Sequence, residues 1–330
     1  MSMFAGWYCR NGAAKDVLEL GRLPKPQPRA NEVLVRLYAS GVNPSDIKAR
    51  RGRPLGNMPR IVPHSDGAGV IEAVGEGVAP ARIGQRVWVW NGQWQRPLGT
   101  AAEYIALPAV QAVELPERVS FAEGACLGIP MQTAFHALRL AGELGGKTLL
   151  VTGAASSVGN YVTQIATRHF GAQVIGTVGS LEKATHALAA GADHVIDYKQ
   201  EDVASQIMEL TRGYGVDAII DMDFSSTAQL LASEALAPHG EVICYGSNDM
   251  EQVPIPFRPV LFRSLSLRFF LVYELRPDER RATLRGIGEL LRDAQFEHAI
   301  GARFPLEEIV QAHEAVEAGR LIGKVVLDIA

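Results

Sequence analysis

The sequence predicts an α/β protein in which a doubly wound parallel sheet is joined to a partly open β-barrel. Three observations carry this expectation. Residues 147–170 read as a strand, a glycine-bounded turn and a helix; short apolar runs alternate with helical windows through residues 147–272; and the first 125 residues hold short β-type runs broken by Gly and Pro.

The turn comes first because the rest is organised around it. Thr148-Leu149-Leu150-Val151-Thr152 is an apolar run of the kind buried in a parallel sheet, and Asn160 opens a helical window to residue 170. Between them, Gly153-Ala154-Ala155-Ser156-Ser157-Val158-Gly159 departs from the pattern G-x-G-x-x-G by lacking its middle glycine. Ala155, Ser156, Ser157, Val158 and Gly159 still form a cradle with no side chain larger than serine before Val158. Backbone N–H groups at a helix N-terminus can approach a pyrophosphate there, with the helix dipole adding attraction. Such a turn also suits any strand-to-helix junction, and the strands that follow favour the dinucleotide reading.

In chain order, strands are expected at residues 32–39, 67–74, 86–90, 101–107 and 111–115, and the Gly and Pro punctuation up to Pro63 speaks against long helices between them. Ser120 and Glu123 have the spacing of a capping box, and a helix over residues 131–141 leads to the turn. Sheet strands follow at 147–152, 173–178, 194–198, 216–221, 241–245 and 265–272, with helices at 160–170, 181–190, 203–211 and 227–237. Helices at 280–291 and 306–317 and a strand at 324–329 close the chain.

Composition excludes several function classes. A chain of 330 residues has room for two domains, and 47% hydrophobic with 21% charged residues is ordinary for a globular protein. A net charge of −4 provides no basic footprint for nucleic acid or an anionic membrane. The apolar run at residues 265–273 is interrupted by Arg268 and is far shorter than the about 20 residues of a membrane span. The first ten residues are too short and polar for a signal peptide. Three widely spaced cysteines, Cys9, Cys126 and Cys244, fit a reducing compartment, so a cytoplasmic protein is expected.

Several segments together resemble the medium-chain dehydrogenase/reductase superfamily, in its zinc-free quinone oxidoreductase (zeta-crystallin-like) branch. They are Ser40-Gly41-Val42-Asn43-Pro44-Ser45-Asp46, the run from Ser65-Asp66-Gly67 to Gly75, Gly176-Thr177-Val178-Gly179-Ser180 with Lys183, Tyr245-Gly246-Ser247, His313-Glu314-Ala315 and Gly323-Lys324-Val325-Val326-Leu327. The resemblance implies a GroES-like catalytic domain from residues 1–125 plus 265–330, with a Rossmann NADP-binding domain at 126–264 inserted between its parts. Zinc-dependent cousins place a Cys at Asn43, a His at Ser65 and a Cys or His near Ile129, and they hold a second zinc with four cysteines. This chain has none of those ligand types at the three positions and too few cysteines, so a metal-free enzyme is expected. His64 is expected as a loop residue or one behind the site.

Without a metal, hydride transfer relies on proximity and hydrogen bonds, which favours quinones and α,β-unsaturated carbonyls. The resemblance places Asn43 and Asp46 beside the nicotinamide, although Asp46 could equally cap an Asn-Pro turn. Lys48 stands where the family often has a tyrosine, so it is a candidate catalytic residue or, with Arg53, an anchor for an acidic substrate. Thr133, Gly246, Ser247 and Phe270 match cofactor-binding positions. Trp88, Trp90, Trp94, Phe262, Phe269 and Tyr273 could line an aromatic-accepting cleft or belong to the core.

NADPH is expected over NADH. No acid stands at residues 178–180, about 20 positions beyond the turn, while Ser180, Lys183 and Tyr198 offer two hydroxyls and an ammonium to a 2′-phosphate. The expected function is an NADPH-dependent reductase of a small quinone or enone, acting as a homodimer without nucleic acid or membrane. Alternatives are a reductase of enoyl thioesters or acidic enones, and a non-catalytic NADPH-binding crystallin-like or RNA-binding protein.

Overall fold

The computed structural model describes residues 1–249, 251–293 and 296–329. The chain forms two compact units, Met1–Ile129 with His298–Ala330, and Pro130–Glu297. Residues 265–297, expected with the first domain, therefore belong to the second. Pairing decides this: the strand at Ser266–Phe269 bonds to the preceding strand of the parallel sheet, and the helix Pro277–Asp293 packs on the helix Gln132–Leu140. No helix among the described residues is long and apolar enough to cross a membrane.

The first seven strands are β1 (Ser2–Trp7), β2 (Glu19–Pro24), β3 (Glu32–Val42), β4 (Asp66–Val74), β5 (Arg86–Val89), β6 (Tyr104–Pro108) and β7 (Ala112–Glu114). The parallel sheet follows with β8 (Thr148–Val151), β9 (Gln173–Val178), β10 (His194–Asp197), β11 (Val216–Asp221), β12 (Leu236–Cys244) and β13 (Ser266–Phe269). The last two are β14 (Ile300–Pro305) and β15 (Lys324–Asp328).

In the first unit β1 and β2 form an antiparallel pair, and the main sheet runs β14-β15-β3-β4-β5-β7 with β6 also on β3. Its core gathers Val33, Val35 and Leu37 from β3 with Ile71, Val87, Val89, Ile105 and Leu107. Alternation along β3 turns these side chains to one face, and each contributes about 1.5 to 3 kcal/mol on burial. Trp88 is fully buried and Trp90 nearly so, which gives both to the core.

Several elements of this unit were not expected from the sequence, among them β1, β2 and the short helix Ala14–Val17 between them. The helix Pro44–Gly52 begins with Pro at its first turn and ends on Gly, so punctuation that argued against helix here marks a start and a stop. β14 has no apolar alternation and is specified by parallel pairing with β15.

The second unit is the doubly wound sheet, all parallel, in the order β10-β9-β8-β11-β12-β13. Six strands stand where six were expected. Counted from β8, the order is 3-2-1-4-5-6, with the topological switch between β8 and β11. The helix expected over 227–237 is instead a short α-turn, Phe224–Thr227, and a 3₁₀ segment, Ala228–Ala232, after which β12 begins. Ala235 and Leu236 are completely buried, and Val216 N donates to Ala235 O, so sheet pairing overrides the helix propensity of Ala and Leu.

Candidate functional site

In the second unit the strand ends Val151 and Asp221 meet at the switch point. Asp221 is wholly buried and accepts from Thr152 Oγ1 at 2.9 Å, Thr227 Oγ1 at 2.5 Å and Asp223 N at 3.0 Å. Burial pushes its carboxyl above the usual range, and the hydroxyl bonds oppose that.

The turn after β8 is held against β9: Gly153 N donates to Thr177 Oγ1 at 3.0 Å and Ala154 N to Thr177 O at 3.1 Å. Ser156 then caps the helix Ser157–Arg168, its hydroxyl accepting from Gly159 N at 3.0 Å. A Cβ on Gly159 would lie 2.3 Å from Gly153 O, so only glycine lets the helix sit this close to the turn. The first intrahelical bond is Asn160 N to Ser156 O, which leaves the N–H groups of Ser157 and Val158 available to an anion. The cradle fits a pyrophosphate, and its missing middle glycine is replaced by a capping serine.

At the end of β9, Ser180 caps the helix Leu181–Ala189 by accepting from Lys183 N at 3.3 Å. The Lys183 side chain is half-buried and makes no ion pair among the described residues. A Cβ on Gly179 would meet the Tyr198 hydroxyl at 2.7 Å, so Tyr198 lies against this loop. Lys199, which sequence reasoning missed, donates from Nζ to Gly179 O at 2.8 Å. Its place beside Tyr198 was the available signal.

At the end of β12, Gly246 O accepts from Phe224 N at 3.1 Å, and Ser247 Oγ donates to Asp249 O at 2.5 Å. Thr133 is buried in the helix Gln132–Leu140, and Phe270 packs edge-on against His136 with centroids 4.9 Å apart. Phe262 and Phe269 are exposed.

In the first unit a polar cluster is built on the ends of three strands. Register sets Gly41 of β3 opposite Asp66 of β4, and Val42 opposite Val325 of β15. Asn43, Asp66 and Lys324 therefore converge. Asn43 Nδ2 donates to Asp66 Oδ2 at 2.8 Å, Lys324 Nζ donates to the same oxygen at 2.8 Å, and Lys324 Nζ also donates to Asn43 Oδ1. Asp66 Oδ1 accepts from Ile129 N at 2.8 Å. Asn43 and Lys324 are buried and Asp66 completely so.

Asp46 takes the capping alternative. Its carboxylate accepts from Asn43 N at 2.7 Å and is 5% exposed. Burial pushes its pKa up to about 7; the Asn43 bond opposes this, Asp66 adds to it and Lys324 opposes it. Lys48, two residues on, is exposed on another face of the helix, so the structure joins Asn43 and Asp46 and leaves Lys48 apart. The Arg53 guanidinium lies over the Trp94 ring at 4.7 Å from its centroid.

Behind the cluster runs a polar chain whose direction the donors fix. Thr100 Oγ1 donates to Asp66 O at 2.6 Å, so Ser40 Oγ, 2.7 Å away, donates to Thr100. His64 Nδ1, 2.9 Å from Ser40 Oγ, must then carry the proton, and His64 Nε2 accepts from His313 Nε2 at 2.9 Å. His64 is fully buried at φ 75°, a position behind the site as expected. Burial, His313 and Lys324 hold it well below the usual histidine range; burial and then Arg50 push His313 down to about 3. Both rings are neutral. Among the described residues, no group of three or more His, Cys, Asp or Glu side chains could hold a metal ion.

Comparison with known proteins adds the family. A family model described as "Alcohol dehydrogenase GroES-like domain" matches residues 29–117, and one described as "Zinc-binding dehydrogenase" matches residues 190–327. The quinone oxidoreductase of Homo sapiens is 31% identical over 309 residues, covering 92% of this chain and 90% of that protein. The quinone oxidoreductase of Pseudomonas aeruginosa is 32% identical over 322 residues, covering 94% and 95%. A mycobacterial structure complexed with NADPH superposes with a TM-score of 0.86 at 29% identity, covering 99% of each chain. With these likenesses running nearly the whole length and the 3-2-1-4-5-6 sheet beneath them, the chain belongs to the quinone oxidoreductase branch of the medium-chain dehydrogenase/reductase superfamily and is an NAD(P)-dependent oxidoreductase.

Proposed function

We propose that the protein is an NADPH-dependent reductase of quinones or other α,β-unsaturated carbonyls that works without a metal. The observation that carries this reading is the internal cluster of Asn43, Asp66 and Lys324, in which the amide at one of the three positions where the resemblance puts a zinc ligand in the cousins is taken up by an ion pair. NADPH, when bound, supplies the hydride. Asn43 donates an N–H to the substrate oxygen as negative charge develops, solvent supplies the proton, and Asp46 holds the Asn43 backbone. Rates with a panel of quinones, enones, acyl thioesters and simple alcohols test this. Quinones and enones are expected to lead, with no loss on chelation; faster turnover of alcohols, with stoichiometric metal in the protein, would overturn it.

The preference for NADPH rests on Ser180, Lys183 and Tyr198, gathered at one loop with Lys199; no acid stands at residues 178–180, and Glu182, between Ser180 and Lys183, is exposed on another face of the helix. The Lys183 ammonium gains a charged partner only when a 2′-phosphate is present. Lys183→Ala is expected to lower the NADPH-to-NADH ratio of kcat/KM about 10- to 100-fold, as for loss of one hydrogen bond to a charged group. A variant that keeps the full ratio, or a wild type preferring NADH, would refute the assignment.

The same reading includes a homodimer. β13 is an edge strand with one neighbour, and Phe257, Phe262 and Phe269 nearby are 70%, 75% and 59% exposed. A second copy adding to this edge would cover them. Sedimentation is expected to give a dimer for the wild type and a monomer for Phe269→Glu; a wild-type monomer would sink the idea.

A further inference from the structure

We infer that Lys324 is a positioning residue for the reduction, acting through Asn43. This deepens the proposed function and rests on Asn43 being the amide that meets the substrate oxygen. A carboxylate can only accept and an ammonium can only donate. Asp66 therefore requires Nδ2 of Asn43 on its side, and Lys324 requires Oδ1 on its own. The amide has one orientation, and reversing it would break both bonds at once.

The cluster is built for this. Lys324 and Asp66 neutralise each other in a dry site, where either charge alone would be costly. Asp66 is fixed from its other oxygen by Ile129 N, and a Cβ on Gly128 would lie 2.1 Å from that oxygen, so the chain closes tightly over it. With one Nδ2 hydrogen bound to Asp66, the second is the donor left for a substrate. An ammonium on Oδ1 draws electron density from the amide and strengthens that donor, as hydrogen bonds in a chain polarise one another. Lys324 thus provides a fixed positive charge, relayed through an amide.

Three readouts separate this from a merely structural ion pair. Lys324→Met is expected to lower kcat about tenfold, the size of one strengthened hydrogen bond, with KM for NADPH unchanged. The loss should grow as the acceptor becomes less electrophilic, because those transition states depend most on the donor. On an Asn43→Ala background the same change should cost nothing further. An equal loss on every substrate, additivity with Asn43→Ala, or no loss would each overturn the proposal. If the single variant does not fold, Lys324→Met/Asp66→Asn removes both charges and is judged by the same readouts. Independently of activity, the Asn43 side-chain NH₂ signals in ¹⁵N spectra should be slow to exchange in the wild type and lose that protection in Lys324→Met. Protection with no quinone or enone turnover would mean that the functional reading has failed and the orienting geometry stands; unprotected wild-type signals would remove the geometry itself.

Discussion

Asn43→Ala is expected to lower kcat/KM for quinones and enones about 100- to 1000-fold while leaving NADPH affinity intact. Removing one preorganised donor to a developing oxyanion typically costs about 2.7 to 4 kcal/mol, and this amide is held by Asp66 and Lys324 before any substrate arrives. Preorganisation makes the effect large, because no reorientation has to occur during the reaction. The fold should survive, since Lys324 and Asp66 keep each other and Asn43 N still bonds Asp46 through the backbone. Steady-state kinetics with several substrates, alongside NADPH titration by fluorescence, would check this. Unchanged kcat/KM with NADPH still bound would show that the amide has no such role.

The second large effect is on stability against pH. Asp46 has a folded pKa raised to about 7 from an ordinary value of 3.8, chiefly by burial. The folded state therefore holds this proton more tightly than the unfolded chain does. The contribution is fully present below about pH 4 and is lost as pH rises through 7, with a ceiling of about 4 kcal/mol. The buried His64 and His313 act oppositely: their folded pKa values are depressed, so their contribution is present above about 6.5 and fades as pH falls. Together they predict a stability optimum near pH 7 for this unit, the rise from the two histidines being held back by Asp46. Between pH 6 and 8.5 the two effects nearly cancel in the wild type, so Asp46→Asn should uncover a rise of about 1.5 kcal/mol, because an asparagine oxygen can still accept from Asn43 N without charge. All four tryptophans, Trp7, Trp88, Trp90 and Trp94, lie in the Met1–Ile129 segment, so tryptophan fluorescence during urea unfolding reads this unit. Parallel profiles in wild type and variant would show that Asp46 is not the group responsible.

Much of the nucleotide-binding half was legible because its signals are local. The six apolar runs and the Gly153–Gly159 turn each lie within a few residues, and the period of a buried parallel strand needs no distant partner to be seen. The Asn43-Pro44 turn with Asp46 as its cap was legible for the same reason, as neighbours in one turn. Failures came where a distant partner set the outcome. β14 exists through pairing with β15, and Leu236 joins a strand through pairing with β11 despite helix-favouring composition.

The sequence by itself determined the alternation of strands and helices, the small-residue cradle, the loop without an acid after β9, and the non-ligand residues at Asn43, Ser65 and Ile129. Tertiary structure decided which charges meet. Lys324 stands 281 residues from Asn43 and 258 from Asp66, and only the antiparallel registers of β15 on β3 and β3 on β4 bring the three within hydrogen-bond reach. It also decided that Asp46 is buried as a cap while Lys48, two positions away, faces out. Helical spacing allowed either face of that helix to turn inward, and packing of Ile47 with Val42, Leu306 and Ile309 chose one.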